Sequence, residues 1–337
     1  MSLLKKNSLR FALTLIGATA IFTVHFWEQL HNAYENPETL HAFVSKRYHN
    51  LMDLMDFNWK HLFTDLFTVS IALTIETIWV GWDHCSLKKL LHLRSKSLNS
   101  DLFFFVLAIT NSFKFLSVVL TFGIGYLAFG IVSDSVQFNM GEFIPWPWLQ
   151  FIVVSLYSEL IAYWIHRFAH SVKWWWMVHR FHHSANEMGT LTYYRVHFIE
   201  DQLNTFFKVI PFIVFGMPLE SYVIYYFITE LHNLLIHSEI KSDWGWFGRY
   251  VLVSPMAHRI HHSADAMHYN YNFSNFLTIW DRLMGTFKEN TVVEKVGLTD
   301  NPYNQKGIFS DLWTTYKDLM GAIFERKIPT DDADQHR

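Results

Sequence analysis

Residues 148–183 read WLQFIVVSLYSELIAYWIHRFAHSVKWWWMVHRFHH. The first half, Trp148–Ile165, is an apolar run matched to a bilayer-crossing helix, which needs about 20 such residues at about 1.5 Å each. Histidines then begin abruptly. His166 and His170 stand four apart, which on a helix puts both imidazoles on one face. His179, His182 and His183 follow, at spacings that again share a face. The same H-x-x-H-H spacing returns at His258, His261 and His262. At this chain's histidine frequency, roughly 0.07 such matches are expected by chance, so two copies beside an H-x-x-x-H pair are a signal.

Outward from this stretch, composition points to a membrane. The 337 residues are 51% hydrophobic and only 17% charged, where a soluble domain carries about 25% charge. Apolar segments at Phe11–Trp27, Leu62–Trp82 and Leu102–Val132 precede Trp148–Ile165, and together they predict about four spans. The third is overlong and carries Lys114. Basic residues orient the bundle. Lys5, Lys6 and Arg10 precede the first segment, Lys88, Lys89, Arg94 and Lys96 follow the second, and residues 133–147 contain no Lys or Arg. The N-terminus and His166 therefore fall on the cytoplasmic side, although Lys46, Arg47 and Lys60 in the opposite loop disagree. The run Phe206–Ile236 is broken by Pro211, Gly216 and Pro218 and reads as a re-entrant hairpin that returns to the side it left.

The predicted fold is thus all-α, a polytopic membrane helical bundle of about four spans plus the hairpin, with a cytoplasmic histidine-rich cap. Residues 1–147 form the membrane region, 148–290 the catalytic region and 291–337 a polar C-terminal tail with an amphipathic piece near Leu312–Glu325. A net charge of -3 excludes a nucleic-acid partner, which requires a basic face. The single cysteine, Cys85, excludes an intramolecular disulfide and any cluster of thiolate ligands.

Eight clustered imidazoles exceed the needs of one ion, since structural zinc takes four ligands and catalytic zinc about three. Two ions is the natural reading, with His237 as a ninth ligand at the hairpin's return. His232 is a weaker candidate, and His197 a supporting group. Imidazole suits iron, zinc, copper and nickel alike. Glu159 lies on one helical stripe with Tyr163, His166 and His170, and is expected to accept a proton from a ligand imidazole. Glu187, Glu200, Glu239 and Asp265 are further candidates without a discriminating signal. The run Trp174–Trp176 suits a bilayer-interface anchor.

These residues resemble the fatty acid hydroxylase/sterol desaturase superfamily. The likeness is carried by His166/His170, His179/His182/His183 and His258/His261/His262. It extends through Thr192–Arg195, Ile236–Glu239, Asn270–Phe273 and Ile279–Phe287, covering roughly residues 148–288. It implies a centre of two iron ions, with zinc the alternative, acting with O2 and an external electron donor on a fatty acyl, sterol or ether lipid. Bacterial inner membrane or endoplasmic reticulum would house such an enzyme. Two rival readings remain beside it: a zinc-dependent membrane hydrolase or non-redox metal protein, and a metal transporter. Transport sites sit near the bilayer midplane, whereas these ligands follow the span ends.

Overall fold

The computed structural model describes residues 59–92, 95–120, 139–289 and 291–324. The expected segment Phe11–Trp27 and the far part of Leu102–Val132 lie outside them. Among the described residues are twelve α-helices, short 3-10 turns and no strand. Two helices are long and apolar enough to cross a membrane. The first, α1 (Trp59–Val80), carries the window Leu62–Val80 and presents Phe63, Ile78 and Trp79 outward. Its inward face buries Thr68, Val69, Ala72 and Glu76.

After α2 (Ser86–His92), the third apolar segment begins as two helices rather than one. Helix α3 (Lys96–Ile109) starts where the Ser95 hydroxyl accepts the Leu98 amide, and α4 (Ser112–Leu120) follows a break at Asn111. Asn111 adopts φ 58, a left-handed conformation that asparagine tolerates better than other side-chain-bearing residues. At 14 residues α3 is about 21 Å long, short of the bilayer's hydrocarbon thickness. Both helices instead pack inward on a cluster of rings. Phe104 lies 5.3 Å from Phe181 and 5.9 Å from Phe198, and Phe113 lies 4.9 Å from Phe198, measured between centroids.

The second candidate span, α5 (Pro147–Ser171), opens on a proline, whose missing N–H costs nothing in a first turn. It stops at Val172, which is extended, and α6 (Lys173–His183) restarts at once in a new direction. Helices α7 (Phe198–Val214) and α8 (Leu219–Ile236) form the predicted hairpin. Gly216 makes the turn at φ 61, and a Cβ there would lie 2.5 Å from Asn139. At 17 and 18 residues, the arms are about 26 Å long, and neither is among the helices long and apolar enough to cross a membrane.

Short helices α9 (Gly245–Tyr250), α10 (Pro255–His261) and α11 (Ile279–Met284) build the cap beyond α8. The amphipathic C-terminal piece is α12 (Ile308–Ile323), which packs along α6. Arg180, between two histidines of α6, pairs with Asp318 and donates to the Tyr303 hydroxyl at 3.0 Å. Glu76 of α1 accepts the Ser86 amide and hydroxyl at 3.1 and 2.7 Å and the Glu239 amide at 2.6 Å. A carboxylate inside an apolar helix thereby fastens the chain just after His237.

Candidate metal centre

Four elements deliver nine histidines to one place. Helix α5 carries His166 and His170, α6 carries His179, His182 and His183, His237 caps α8, and α10 carries His258 and His261 with His262 as its cap. All nine are buried. Their nitrogens fall into two groups, His166/His170/His179/His183/His261 and His182/His237/His258/His262, each with its atoms within 4.8 Å of one another.

The H-x-x-H-H spacing explains this division. In α6 the i, i+4 pair His179/His183 enters the five-membered group and His182 enters the other. In α10 the i, i+4 pair His258/His262 enters the four-membered group and His261 crosses to the first. Residues four apart share a helix face, whereas the intervening one is rotated onto the neighbouring face. Each helix thus serves both groups, and the stacked rings of His183 and His262, 4.3 Å apart, join them.

Hydrogen bonding does not account for all of the clustering, because in the pairs His166/His179 and His182/His237 neither Nε2 has a proton to give. His179 Nε2 lies 3.1 Å from Nε2 of His166, His170 and His183 alike. In the second group His237 Nε2 is 3.2 Å from His182 Nε2 and 3.0 Å from His258 Nε2, which is 3.1 Å from His262 Nε2. A neutral imidazole has one N–H and one lone pair. Several of these rings hold their proton on the far nitrogen. Nδ1–H of His166, His182, His237 and His261 donates to the carbonyls of Phe273, Arg195, Asn233 and Tyr271 at 2.7, 3.1, 2.7 and 2.9 Å. Carbonyl oxygens only accept, so these rings turn bare Nε2 lone pairs inward. His179 Nδ1 meets Glu200 Oε1 at 2.5 Å, which leaves its Nε2 bare as well. Lone pairs converging on one point suit a cation.

Burial, reinforced by neighbouring rings, holds His182, His183, His258 and His262 well below the ordinary imidazole range. Burial thus favours the neutral imidazole, the form able to donate a lone pair to a metal, and the donor set fits two ions.

The outer supports differ in part from the sequence expectation. Glu159 does not reach an imidazole; its Oε1 accepts the Tyr225 hydroxyl at 2.5 Å, across the α5–α8 contact. Glu200 supplies the carboxylate instead. Glu239 pairs with Lys89 at 2.6 Å, Glu187 takes the Ser95 hydroxyl at 3.1 Å, and Asp265 caps a 3-10 turn. His197 caps α7, its Nδ1 accepting the Ile199 amide at 3.3 Å, and stands outside both groups. His232 is also outside them, packed on Phe276 and Trp244. Trp174 stacks on Trp175 near the surface, but Trp176 is buried with its ring 5.1 Å from His170, so the tryptophan run also walls the centre.

Two supports had no residue-type signal in the sequence. Asp281 accepts the amides of Phe273 and Ser274 at 2.8 and 2.9 Å and the Thr286 hydroxyl at 2.7 Å, fixing the carbonyl that receives His166. Arg195 is fully buried; its guanidinium pairs with Asp101 at 2.6 Å and donates to Asn304 at 3.0 Å, while its carbonyl orients His182. A cleft, open at its mouth, adjoins both groups and is lined by His166, His179, His182, His237 and His258 and by the α7 side chains Glu200, Asn204 and Lys208.

Fold and site together define, among the described residues, an all-helical architecture with a buried nine-imidazole centre able to hold two ions. Residues 151–286, which contain every one of these histidines, match the fatty acid hydroxylase family. Alkylglycerol monooxygenase of Xenopus tropicalis is 32% identical over 161 residues, 48% of this chain and 34% of that protein. Ornithine lipid hydroxylase OlsE of Rhizobium tropici is 32% identical over 42% of this chain and 43% of its own length. A Delta(7)-sterol 5(6)-desaturase of Aspergillus fumigatus is 28% identical over 43% of this chain and 40% of its own. The chain thus covers less than half the length of these relatives. No solved structure matches. The resemblance to the fatty acid hydroxylase/sterol desaturase superfamily holds over the segment that carries the centre.

Proposed function

We propose that this chain is a membrane-bound di-iron oxygenase that oxidises a lipid C–H bond using O2 and electrons from an external donor. The carrying observation is the convergence of nine buried imidazoles into two adjoining groups, with bare Nε2 lone pairs turned inward in each. His166, His170, His179, His183 and His261 would hold one ion and His182, His237, His258 and His262 the other. Iron in this setting supplies the O2-derived oxidant that unactivated C–H bonds require. The protein's part is positional. Glu200 and the backbone carbonyls keep the Nε2 lone pairs of His166, His179, His182, His237 and His261 aimed inward. A lipid enters between α5 and the α7–α8 hairpin and lays its chain beside the rings of His166, His182 and His258.

In the proposed topology, four spans and the re-entrant hairpin put the centre at the cytoplasmic rim, with a fatty acyl, sterol or ether lipid reaching it from the bilayer. Alkylglycerol, ornithine-lipid and sterol oxidation by the relatives are all consistent with such access. Metal analysis of protein purified without a chelating tag is expected to give two irons per chain. His182→Ala and His261→Ala strike different groups; each should abolish lipid-dependent O2 consumption and lower bound metal while leaving membrane insertion intact. Zinc at full occupancy, with lipid turnover in the absence of O2, would establish the hydrolase reading instead.

A further inference from the structure

We propose that Lys208, assisted by Asn204, is the receptor for an anionic head group on the chain lipid that occupies the cleft. The inference rests on reading the cleft as a lipid site. Glu200, Asn204 and Lys208 follow one another at i, i+4 and i+8 on α7, and all three line the cleft beside the histidines. Glu200 is engaged by His179. Asn204 and Lys208 make no hydrogen bond or ion pair with any described residue, so their donors point into space that a ligand fills.

Position makes this unusual. Lys208 lies ten residues into α7, about 15 Å from its start, in the arm's apolar second half among Phe206, Phe207, Val209, Ile210, Phe212 and Ile213. An ionisable group at such depth is costly and marks a ligand pathway when it faces a cavity rather than a partner. The nearest carboxylates, Glu159, Glu200 and Asp201, act on Lys208 only at a distance. Glu159 takes the Tyr225 hydroxyl, Glu200 takes His179, and Asp201 takes the Ser117 hydroxyl at 3.4 Å. Neutral imidazoles, moreover, do not offset the charge of ions they hold, so a loaded centre would add positive charge beside Lys208, against the single carboxylate, Glu200, that lines the cleft. The shared chemistry is an anionic oxygen, carboxylate or phosphate, at the end of an alkyl chain, held by a charge-assisted hydrogen bond.

Equilibrium binding of radiolabelled palmitate, hexadecyl phosphate and hexadecanol to the purified metal-loaded protein in neutral detergent tests this, the first two probes distinguishing carboxylate from phosphate. Lys208→Met is expected to weaken whichever anion binds by about tenfold or more, to leave hexadecanol unchanged and to keep metal content and elution volume. Lys208→Arg should restore most of the loss. Equal affinity of the wild type for the alcohol and both anions, or a Lys208→Met variant that loses the alcohol as much as the anion, would overturn the proposal. Lipid oxidation without anion preference would sink this inference alone, whereas anion binding without O2-dependent turnover would sink the proposed function alone.

Discussion

At the residue scale, the centre is governed by which nitrogen of each ring holds the proton. His179 depends on a carboxylate, and its Nε2 lies at the focus of three neighbours. Loss of such an outer partner typically costs 10–100-fold in metal affinity. Glu200→Ala should therefore weaken metal retention by about that factor, measured by competition with a graded chelator series. Unchanged retention would remove the carboxylate from the account. Glu159, by contrast, touches Tyr225 rather than a ligand ring. The helical stripe shared by Glu159, Tyr163, His166 and His170 is real, but an i, i+4 stripe records only which face a residue occupies. Which neighbour approaches that face depends on α8.

At the element scale, α7 begins on a histidine. His197 accepts the Ile199 amide through Nδ1, and burial pushes its pKa down to about 4. In the unfolded chain the ring titrates near its ordinary value of about 6.5. Below that pH the unfolded chain binds a proton that the folded chain refuses, so acid favours unfolding. This contribution is fully present above about pH 6.5 and is lost as pH falls toward about 4, by at most about 3 kcal/mol. His197→Asn keeps a capping acceptor without the titration. Its Tm in detergent should fall less steeply than the wild type's between those limits, and parallel curves would assign the acid sensitivity elsewhere. The hairpin turn offers a second element-scale test. Gly216→Ala meets both positive φ and Asn139, and should lower stability by about 1 kcal/mol or more, seen as a lower Tm with the metal content of the folded fraction preserved.

At the scale of the whole molecule, the hairpin matters most. Because α7 and α8 turn back, His237 arrives within 3.2 Å of His182, and the cap that follows brings His258 and His261 to the same rim. The proposed membrane topology has a direct consequence. In a Cys85→Ser background, single cysteines replacing Lys173 and Asp265, both exposed, should react with an impermeant maleimide from one side of the membrane. A cysteine replacing Glu142 should react from the other. Labelling of positions 173 and 265 from opposite faces would separate the two H-x-x-H-H motifs and remove the shared centre.

Much of this was written in the chain itself. Helical periodicity and histidine spacing are local properties, so His166/His170 and the two H-x-x-H-H motifs, the broken hairpin and the two long apolar helices were legible from residue order alone. His237 could be picked out because the hairpin's return places it beside the others. What residue order could not decide is the partition into five and four, with each α6 and α10 motif split between groups, because that follows from how four elements are rotated against one another. Nor could it show that carbonyls of Phe273, Arg195, Asn233 and Tyr271 orient the rings, since every residue has a carbonyl and none is marked by its side chain. The choice of Glu200 over Glu159, and the turning of Lys208 into the cleft, were likewise settled only by packing: equivalent side chains became distinct once the tertiary fold set what stood opposite each of them.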